Sequence, residues 1–412
     1  MPSPARVSLL PVFLIVLVDV FGMTLVLPLL AIYAESYGAS PLQATLLVSV
    51  YAACQLVSGP LLGHASDRHG RKPLLILSQI GTLIGFLILA RATTLWVIFL
   101  SRVIDGATAG NLSLAQAYIA DNTEPKDRSR AFALIGIAFG LGFFIGPTLT
   151  GYLAGRFSLE TPIYLAAAMS ATSILCTAVL LRGGGQQRHA FDDRPSALAW
   201  STYAQYFSRA GLSARLFQFF FFMLSFSTFI SGFALFAERR FVWNGEPFGP
   251  REIGYVFGYV GLLAIFLQGG GIGWLVRRFD ETLLVLAGFV AMAAAYLGLG
   301  LSFTLAPLLL VSAMAAFGHG VLRPVLSSLI TQHASRREQG VVLGITQSLM
   351  SVASMAAPVA AGYLIQAEQL TGWAWLAAVF AAVGSVMAWR GLRGDAVLTS
   401  VEGPAGQVQS GP

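Results

Sequence analysis

Hydrophobic and polar positions fall in long blocks along this chain, rather than in the short periods of a soluble helix or strand. Twelve apolar runs are long enough to cross a bilayer, for which about 20 residues suffice. They lie at about 8–33, 43–65, 73–91, 95–119, 129–154, 160–181, 213–237, 252–274, 282–302, 305–331, 339–366 and 370–390. The pattern predicts an all-α polytopic membrane protein with twelve transmembrane helices.

The polar segments between the runs carry most of the positive charge. With the N-terminus in the cytoplasm, 18 of the 25 basic residues fall on the cytoplasmic side and five on the other. Lys and Arg are enriched in the cytoplasmic loops of membrane proteins, so we expect both termini in the cytoplasm. This distribution accounts for the net charge of +6 without a nucleic-acid partner.

Two related halves are predicted. Gly and Pro recur about 210 residues apart at equivalent runs, pairing Gly63 with Gly273, Pro147 with Pro358 and Gly151 with Gly362. We therefore expect two pseudo-symmetric six-helix bundles at 1–181 and 213–392, a cytoplasmic central loop at 182–212 and a disordered tail at 393–412; chance alignment is the alternative in a glycine-rich chain. Repeats of this kind place a substrate site between the halves, near the bilayer midplane.

Two apolar runs near the N-terminus contain titratable side chains. Asp19 lies near the middle of the first run, where desolvation favours the neutral carboxyl and allows proton exchange near neutral pH. On a continuous fourth helix, Arg102, Asp105, Gly106, Ser113 and Gln116 would fall on one stripe along the helix. Arg102 and Asp105 are three residues apart and can pair. A proton relay and a purely structural pair both remain open.

The tenth run repeats this arrangement with a stripe of Ser312, His319, Arg323 and Ser327. His319 is a second candidate proton carrier, because imidazole titrates near neutral pH; a structural histidine is the alternative. The seventh run contains consecutive phenylalanines, some of which must face lipid. Phe222 and Phe226 are candidates for the apolar wall of a substrate cavity.

The segment Gly63-His-Ala-Ser-Asp67-Arg68-His-Gly70-Arg71-Lys72 is a dense, charged turn between two apolar runs. It resembles the loop between helices two and three of the major facilitator superfamily. In that family the loop is a charge latch that stabilises one access state. Asp121, at the end of the fourth run, resembles the usual partner of the loop arginine.

A second match places the resemblance among drug/proton antiporters of the tetracycline-efflux type. Phe139-Gly140-Leu141-Gly142, followed by Gly146-Pro147 and Gly151, resembles the motif of family exporters. Arg102 with Gly106 resembles the family's proton-coupling arginine, and Asp19, Gly22 and Pro28 are spaced as in tetracycline exporters. Those exporters carry acids in helices three and nine and a histidine in helix eight. The matching segments here, 84–86, 291–293 and 263–265, contain no titratable residue, so a metal–tetracycline chelate would lack its expected partners.

The resemblance implies proton-coupled efflux of small amphipathic compounds, multidrug or tetracycline-like, by alternating access. It implies a monomer in the bacterial cytoplasmic membrane, driven by the proton gradient without a cofactor or metal. Proton coupling is assigned to Asp19, Arg102, Asp105 and His319, and the substrate cavity to Gln116, Arg323, Ser327, Phe222 and Phe226.

Three alternatives remain. The first is proton-driven uptake or export of an anionic metabolite, with Arg102 and Arg323 binding the anion. The second is a transport-inactive sensor or scaffold. An enzyme is disfavoured, because the sequence shows no nucleophile–base constellation and no cluster of metal ligands.

Overall fold

The computed structural model describes residues 10–122, 128–181, 200–209, 211–334 and 338–401. These residues are nearly all helical. The helices are α1 Leu10–Val26, α2 Leu30–Ser36, α3 Pro41–His69, α4 Arg71–Ala90, α5 Leu95–Ala107, α6 Asn111–Asn122, α7 Arg128–Arg156, α8 Thr161–Leu180, α9 Trp200–Phe207, α10 Leu212–Arg240, α11 Pro250–Phe266, α12 Ile272–Arg278, α13 Glu281–Gly300, α14 Leu305–Gln332, α15 Gln339–Gln366 and α16 Leu370–Val401. A π-helical turn, Leu267–Gly271, joins α11 to α12, and a hairpin of β1 Val242–Trp243 and β2 Glu246–Pro247 follows α10.

Within the described residues, ten helices are long and apolar enough to cross a membrane, judged by length and composition. Each matches one of the predicted runs. The first and fourth runs are missing from this set because neither forms one continuous helix. The first is interrupted at 27–29, around Pro28, and continues as α2, since proline lacks the N–H that an α-helix needs.

The prediction of a continuous fourth helix was wrong. The helix stops between Ala107 and Asn111, where backbone groups would be left without partners inside the membrane. Ser78 of α4 satisfies two of them: its hydroxyl donates to the carbonyl of Thr108 and accepts from the Gly110 N–H at 2.9 Å. The single stripe predicted across this point therefore does not extend from α5 to α6.

Helix boundaries at the loops follow ordinary capping chemistry. Ser40 and Gln43 form a capping box at the start of α3, and the Asp280 carboxylate accepts from two backbone N–H groups at the start of α13. Between α3 and α4, Gly70 has φ +94° and ψ 152°, a backbone conformation that is essentially restricted to glycine. The sharp turn in the 63–72 segment therefore depends on this residue.

The helices pack as an N-terminal group, α1–α8, and a C-terminal group, α10–α16, which meet chiefly where α7 contacts α11 and α3 contacts α15. The predicted central loop contains α9, while 182–199 lie outside the described residues. At the other boundary, α16 continues to Val401, past the start of the predicted tail at 393, and 402–412 lie outside the described residues.

The bundle has two distinct ends. We call the end that carries the α3–α4 turn the loop end, and the opposite one the far end. At the far end the groups are in close contact: an added Cβ on Gly151 would lie 2.6 Å from the Pro250 carbonyl oxygen, and one on Gly362 would lie 2.8 Å from the Leu42 Cα. An ion pair of 2.6 Å between Arg239 and Glu35 also joins the groups there.

Several glycines in the loop-end portions of α3, α15 and the π-helical turn have open space where a side chain would be. Among the described residues, no atom lies within 4 Å of a Cβ built on Gly59, Gly63, Gly269, Gly270 or Gly344. Close contact between the two groups is therefore seen at the far end, whereas these loop-end glycines have no described neighbour within 4 Å.

Candidate functional site

A polar cluster lies inside the N-terminal group. Asp19 on α1 is half-buried, with the Ser173 hydroxyl and the Gln79 amide within hydrogen-bonding reach and Asp105 near enough to repel it. Gln79 Nε2 also donates to Ser173 Oγ at 2.7 Å, which fixes both partners of the carboxyl group. Three helices, α1, α4 and α8, therefore converge on the predicted proton carrier.

Arg102 and Asp105 form the ion pair that their spacing predicts. The distance from Arg102 Nη1 to Asp105 Oδ2 is 3.1 Å, and both residues are only 5% exposed. Gly85 of α4 allows this part of α5 to approach closely, since a Cβ there would be 2.9 Å from the Asp105 Cβ. The pair is thus enclosed between helices rather than directed to lipid.

Two polar groups in this cluster, one of them the Arg102 guanidinium, have unsatisfied hydrogen-bonding atoms. Arg102 Nη2 is buried and has no hydrogen-bond partner in the described part of the chain, and the same holds for Gln79 Oε1. Buried polar atoms of this kind are rare and costly. The cluster therefore holds an unused donor on the guanidinium and an unused acceptor beside Asp19.

Several residues of this cluster were not predicted from the sequence to belong to a functional site. Gln79, Thr82 and Ser173 are uncharged polar residues within apolar runs, and Tyr51 lies near both Arg102 and Asp105. A sequence shows such residues but not which helices face each other. Their only signal was polarity inside a predicted span, which they share with several residues remote from the cluster.

His319 lies in an aromatic enclosure of the C-terminal group. Its Nε2 is 2.6 Å from the Tyr296 hydroxyl, and its ring is 4.9 Å from that of Phe226 and 6.3 Å from that of Phe222. Phe222 is 2% exposed, so it packs inside the group instead of forming an open wall. No described carboxylate contacts His319.

Arg323 lies at the boundary between the two groups. It is exposed although it falls within α14, and its guanidinium carbon is 4.7 Å from the ring centroid of Phe139 on α7. Ser327, one turn further on, donates its hydroxyl to the Arg323 carbonyl oxygen at 2.8 Å. Gln116, half-buried on α6, lies beyond the interruption in the fourth run.

The 63–72 segment ties together helices of the N-terminal group. Asp67 pairs with Arg71 at 2.5 Å, and Lys72 Nζ donates to the carbonyls of Ala178 and Leu181 at 2.7 Å each. Lys72 thereby caps the C-terminal end of α8, where free carbonyls favour a cation.

Arg68 and Asp121 were predicted to pair with each other in the latch. Arg68 is exposed and forms no ion pair with a described residue. The side chain of Asp121, its expected partner, lies outside the described part of the structure.

The exporter-type motif is built for close helix contact. Gly142 and Gly146 of α7 face α1 at Val20 and Thr24, while Gly151 faces Gly254 of α11 in the other group. Glycines at such positions let helix backbones approach within a membrane. Pro147 adds to the α7–α11 contact, because its carbonyl oxygen lies 2.7 Å from a Cβ built on Gly254.

Comparisons with known proteins agree with this architecture. The sequence model of the Major Facilitator Superfamily matches residues 12–305 and 246–410. The class D tetracycline resistance protein of Salmonella ordonez is 29% identical over 384 residues, covering 91% of this chain and 93% of that protein. Multidrug resistance protein 2 of Bacillus subtilis is 25% identical over 400 residues, covering 93% and 96%.

A solved structure shows the same fold. The crystal structure of the human organic anion transporter MFSD10 (TETRAN) superposes with a TM-score of 0.72 at 24% sequence identity, covering 94% of this chain and all of that one. The chain belongs to the Major Facilitator Superfamily. It is a multi-span membrane transporter rather than an enzyme, and its relatives include several tetracycline resistance proteins.

Proposed function

We propose that this transporter exports small amphipathic compounds in exchange for protons, by alternating access between two six-helix bundles. The observation that carries the proposal is the buried cluster of Asp19, Arg102 and Asp105, because ionisable groups inside a membrane bundle are costly and mark ion or proton pathways. The relatedness to tetracycline and multidrug resistance proteins supports export as the direction.

Asp19 is the proposed proton carrier. When Asp19 is ionised, it and Asp105 place two negative charges near the single guanidinium of Arg102, whose Nη2 has no partner among the described residues. When Asp19 takes up a proton, Arg102 and Asp105 remain as a neutral pair. Proton binding therefore changes the charge balance among α1, α4 and α5, which is the physical link to helix movement.

The access cycle follows from the packing of the two ends. The loop end carries most of the basic residues and is assigned to the cytoplasm by the positive-inside bias. The close contact of the two groups at the far end then corresponds to a cytoplasm-facing state, in which substrate enters from the loop end. The exporter-type glycines of α7 and the Arg239–Glu35 ion pair would separate when the far end opens for release.

The proposal is tested by growth inhibition of an efflux-deficient bacterial host that produces the wild type or Asp19→Asn. The panel contains dyes, antiseptics, phenicols, quinolones and tetracyclines, and membrane expression is measured for both proteins. We expect resistance to at least one compound with the wild type and its loss with Asp19→Asn. Resistance retained by Asp19→Asn at equal expression would contradict the assignment of the proton carrier.

A second candidate is transport of an organic anion. It is favoured by Arg323, a cation at the boundary of the two groups that forms no ion pair with any described acid. The human structural relative is itself described as an organic anion transporter. Depletion of an aromatic anion from cells would indicate export, and accumulation would indicate uptake.

A further inference from the structure

Arg323 is a charged residue of the candidate cavity that the proposed proton pathway does not use. It lies nine residues before the end of α14 at Gln332, about 14 Å from that helix end at 1.5 Å per residue. A side chain that is exposed at this depth must face either lipid or an opening between helices. Its contact with Phe139 of the other group shows that it faces the opening between the groups.

In the part of the chain that the structure describes, the charge of Arg323 has little compensation. Phe139 is its aromatic partner, and a cation–π contact contributes roughly 0.5–2 kcal/mol. The cost of a charged side chain at the bilayer centre is larger, about 2.5–3.5 kcal/mol by insertion scales. Water that enters from the loop end can supply the remaining stabilisation of the Arg323 charge. That water is lost when the two groups of helices close at this end.

Among the described residues, the aromatic partner of Arg323 lies beside a second aromatic ring and close to one amide side chain. Phe139 stacks on Phe143 with ring centroids 6.4 Å apart. Its neighbour Gly140 faces Gln268 of the π-helical turn, whose Oε1 is 3.5 Å from a Cβ built on that glycine. π-helical turns of this kind are frequent at functional sites. Aromatic faces and an amide suit a planar organic group beside the guanidinium.

From these contacts we propose that the transported compound is an amphipathic organic anion, an aromatic carboxylate or sulfonate. Its acidic group binds Arg323 and its ring packs against Phe139, so that both groups of helices hold it. This inference rests on the proposed transport function and assigns its substrate class. When water leaves, Arg323 loses the compensation of its positive charge, and the bound anion supplies that compensation instead. Closure of the loop end is therefore favoured only when an anion is bound.

The proposal predicts a charge preference that depends on Arg323. The full chain, purified in detergent, is titrated with a panel of aromatic acids and their neutral amides, beginning with 2-naphthoate, 1-naphthalenesulfonate and 2-naphthamide, and binding is measured by the shift in thermal unfolding. We expect acids to bind the wild type at least tenfold more tightly than the matched amides. Charge-assisted hydrogen bonds of this kind account for roughly 10- to 100-fold in affinity.

Variants separate the site from general effects of charge. Arg323→Gln should remove the preference for acids, and Arg323→Lys should retain part of it, because lysine keeps the charge without the planar fork. Phe139→Ala should weaken acids and amides alike. Arg251→Gln is the matched control, since Arg251 is exposed at the far end beside Tyr255 and should leave the preference unchanged.

The failure of this inference is distinguishable from failure of the proton-export proposal. Asp19→Asn should keep acid binding even though it loses coupled transport, so the binding results stand whether or not protons drive export. Equal binding of acids and amides to the wild type, no binding of any acid in the panel, or an acid preference that survives in Arg323→Gln would each overturn the proposal.

Discussion

The closed far end depends on glycine at position 151. Replacing Gly151 with Ala adds a Cβ that would lie 2.6 Å from the Pro250 carbonyl oxygen and 3.0 Å from the Cα of Gly254. Both atoms belong to the backbone and cannot rotate away. Because ordinary carbon contacts begin near 3.4 Å, α7 and α11 must separate by about 0.8 Å at this point, which breaks the packing between the two groups.

Overpacking of this kind costs about 1–3 kcal/mol. The cost falls only on the state in which α7 and α11 touch at the far end, so the substitution raises the population open at that end by roughly 5- to 140-fold. The gain in helix propensity from Gly to Ala is present in both states and cancels. Gly344→Ala provides the control, since it carries the same gain but meets no described atom within 4 Å.

The opening is measured with a reporter cysteine, Thr148→Cys, in a background lacking Cys54 and Cys176. Thr148 lies in the α7–α11 contact, where its side chain adjoins Gly258. We expect Gly151→Ala to accelerate its reaction with a membrane-impermeant maleimide by at least fivefold, with Gly344→Ala unchanged. An unaltered rate in folded Gly151→Ala protein, or an equal acceleration in Gly344→Ala, would show that a Cβ at position 151 does not open the α7–α11 contact.

Three further predictions concern the latch and the far-end ion pair. Gly70→Ala should destabilise the α3–α4 turn by about 1–3 kcal/mol because of its φ of +94°, seen as a lower unfolding temperature; an unchanged temperature would contradict this. Lys72→Met removes two hydrogen bonds to α8 and should cost about 1–3 kcal/mol by the same assay. A double-mutant cycle on Glu35 and Arg239, read from far-end accessibility, should give a coupling of about 0.2–1 kcal/mol that falls in high salt; a salt-independent value would contradict a partly exposed pair.

Much of the fold could be predicted from the sequence, because hydrophobic length alone identifies helices that cross a bilayer. Each of the ten candidate spans found in the described residues corresponds to one of the predicted runs. The same reasoning could not detect the interruption at 108–110, because the break depends on Ser78, which lies about 30 residues earlier and satisfies the freed backbone groups. A tertiary contact thus decided a feature of secondary structure.

The candidate site could be predicted only in part. Asp19, Arg102, Asp105, His319 and Arg323 are conspicuous as titratable residues inside apolar runs. Their partners are ordinary side chains, and nothing in a single sequence states that α4 and α8 converge on Asp19 or that α7 brings Phe139 to Arg323.

Substrate-driven proton movement in proteoliposomes is the direct test of proton-coupled transport through Asp19. Wild type, Asp19→Asn and Glu246→Gln are reconstituted with a pH indicator inside the vesicles; Glu246 lies exposed in the hairpin after α10 and controls for loss of a carboxylate. The account predicts that a transported substrate collapses a preset pH gradient with wild type and Glu246→Gln but not with Asp19→Asn. Equal proton movement in Asp19→Asn, or substrate transport by the wild type without proton movement, would contradict it.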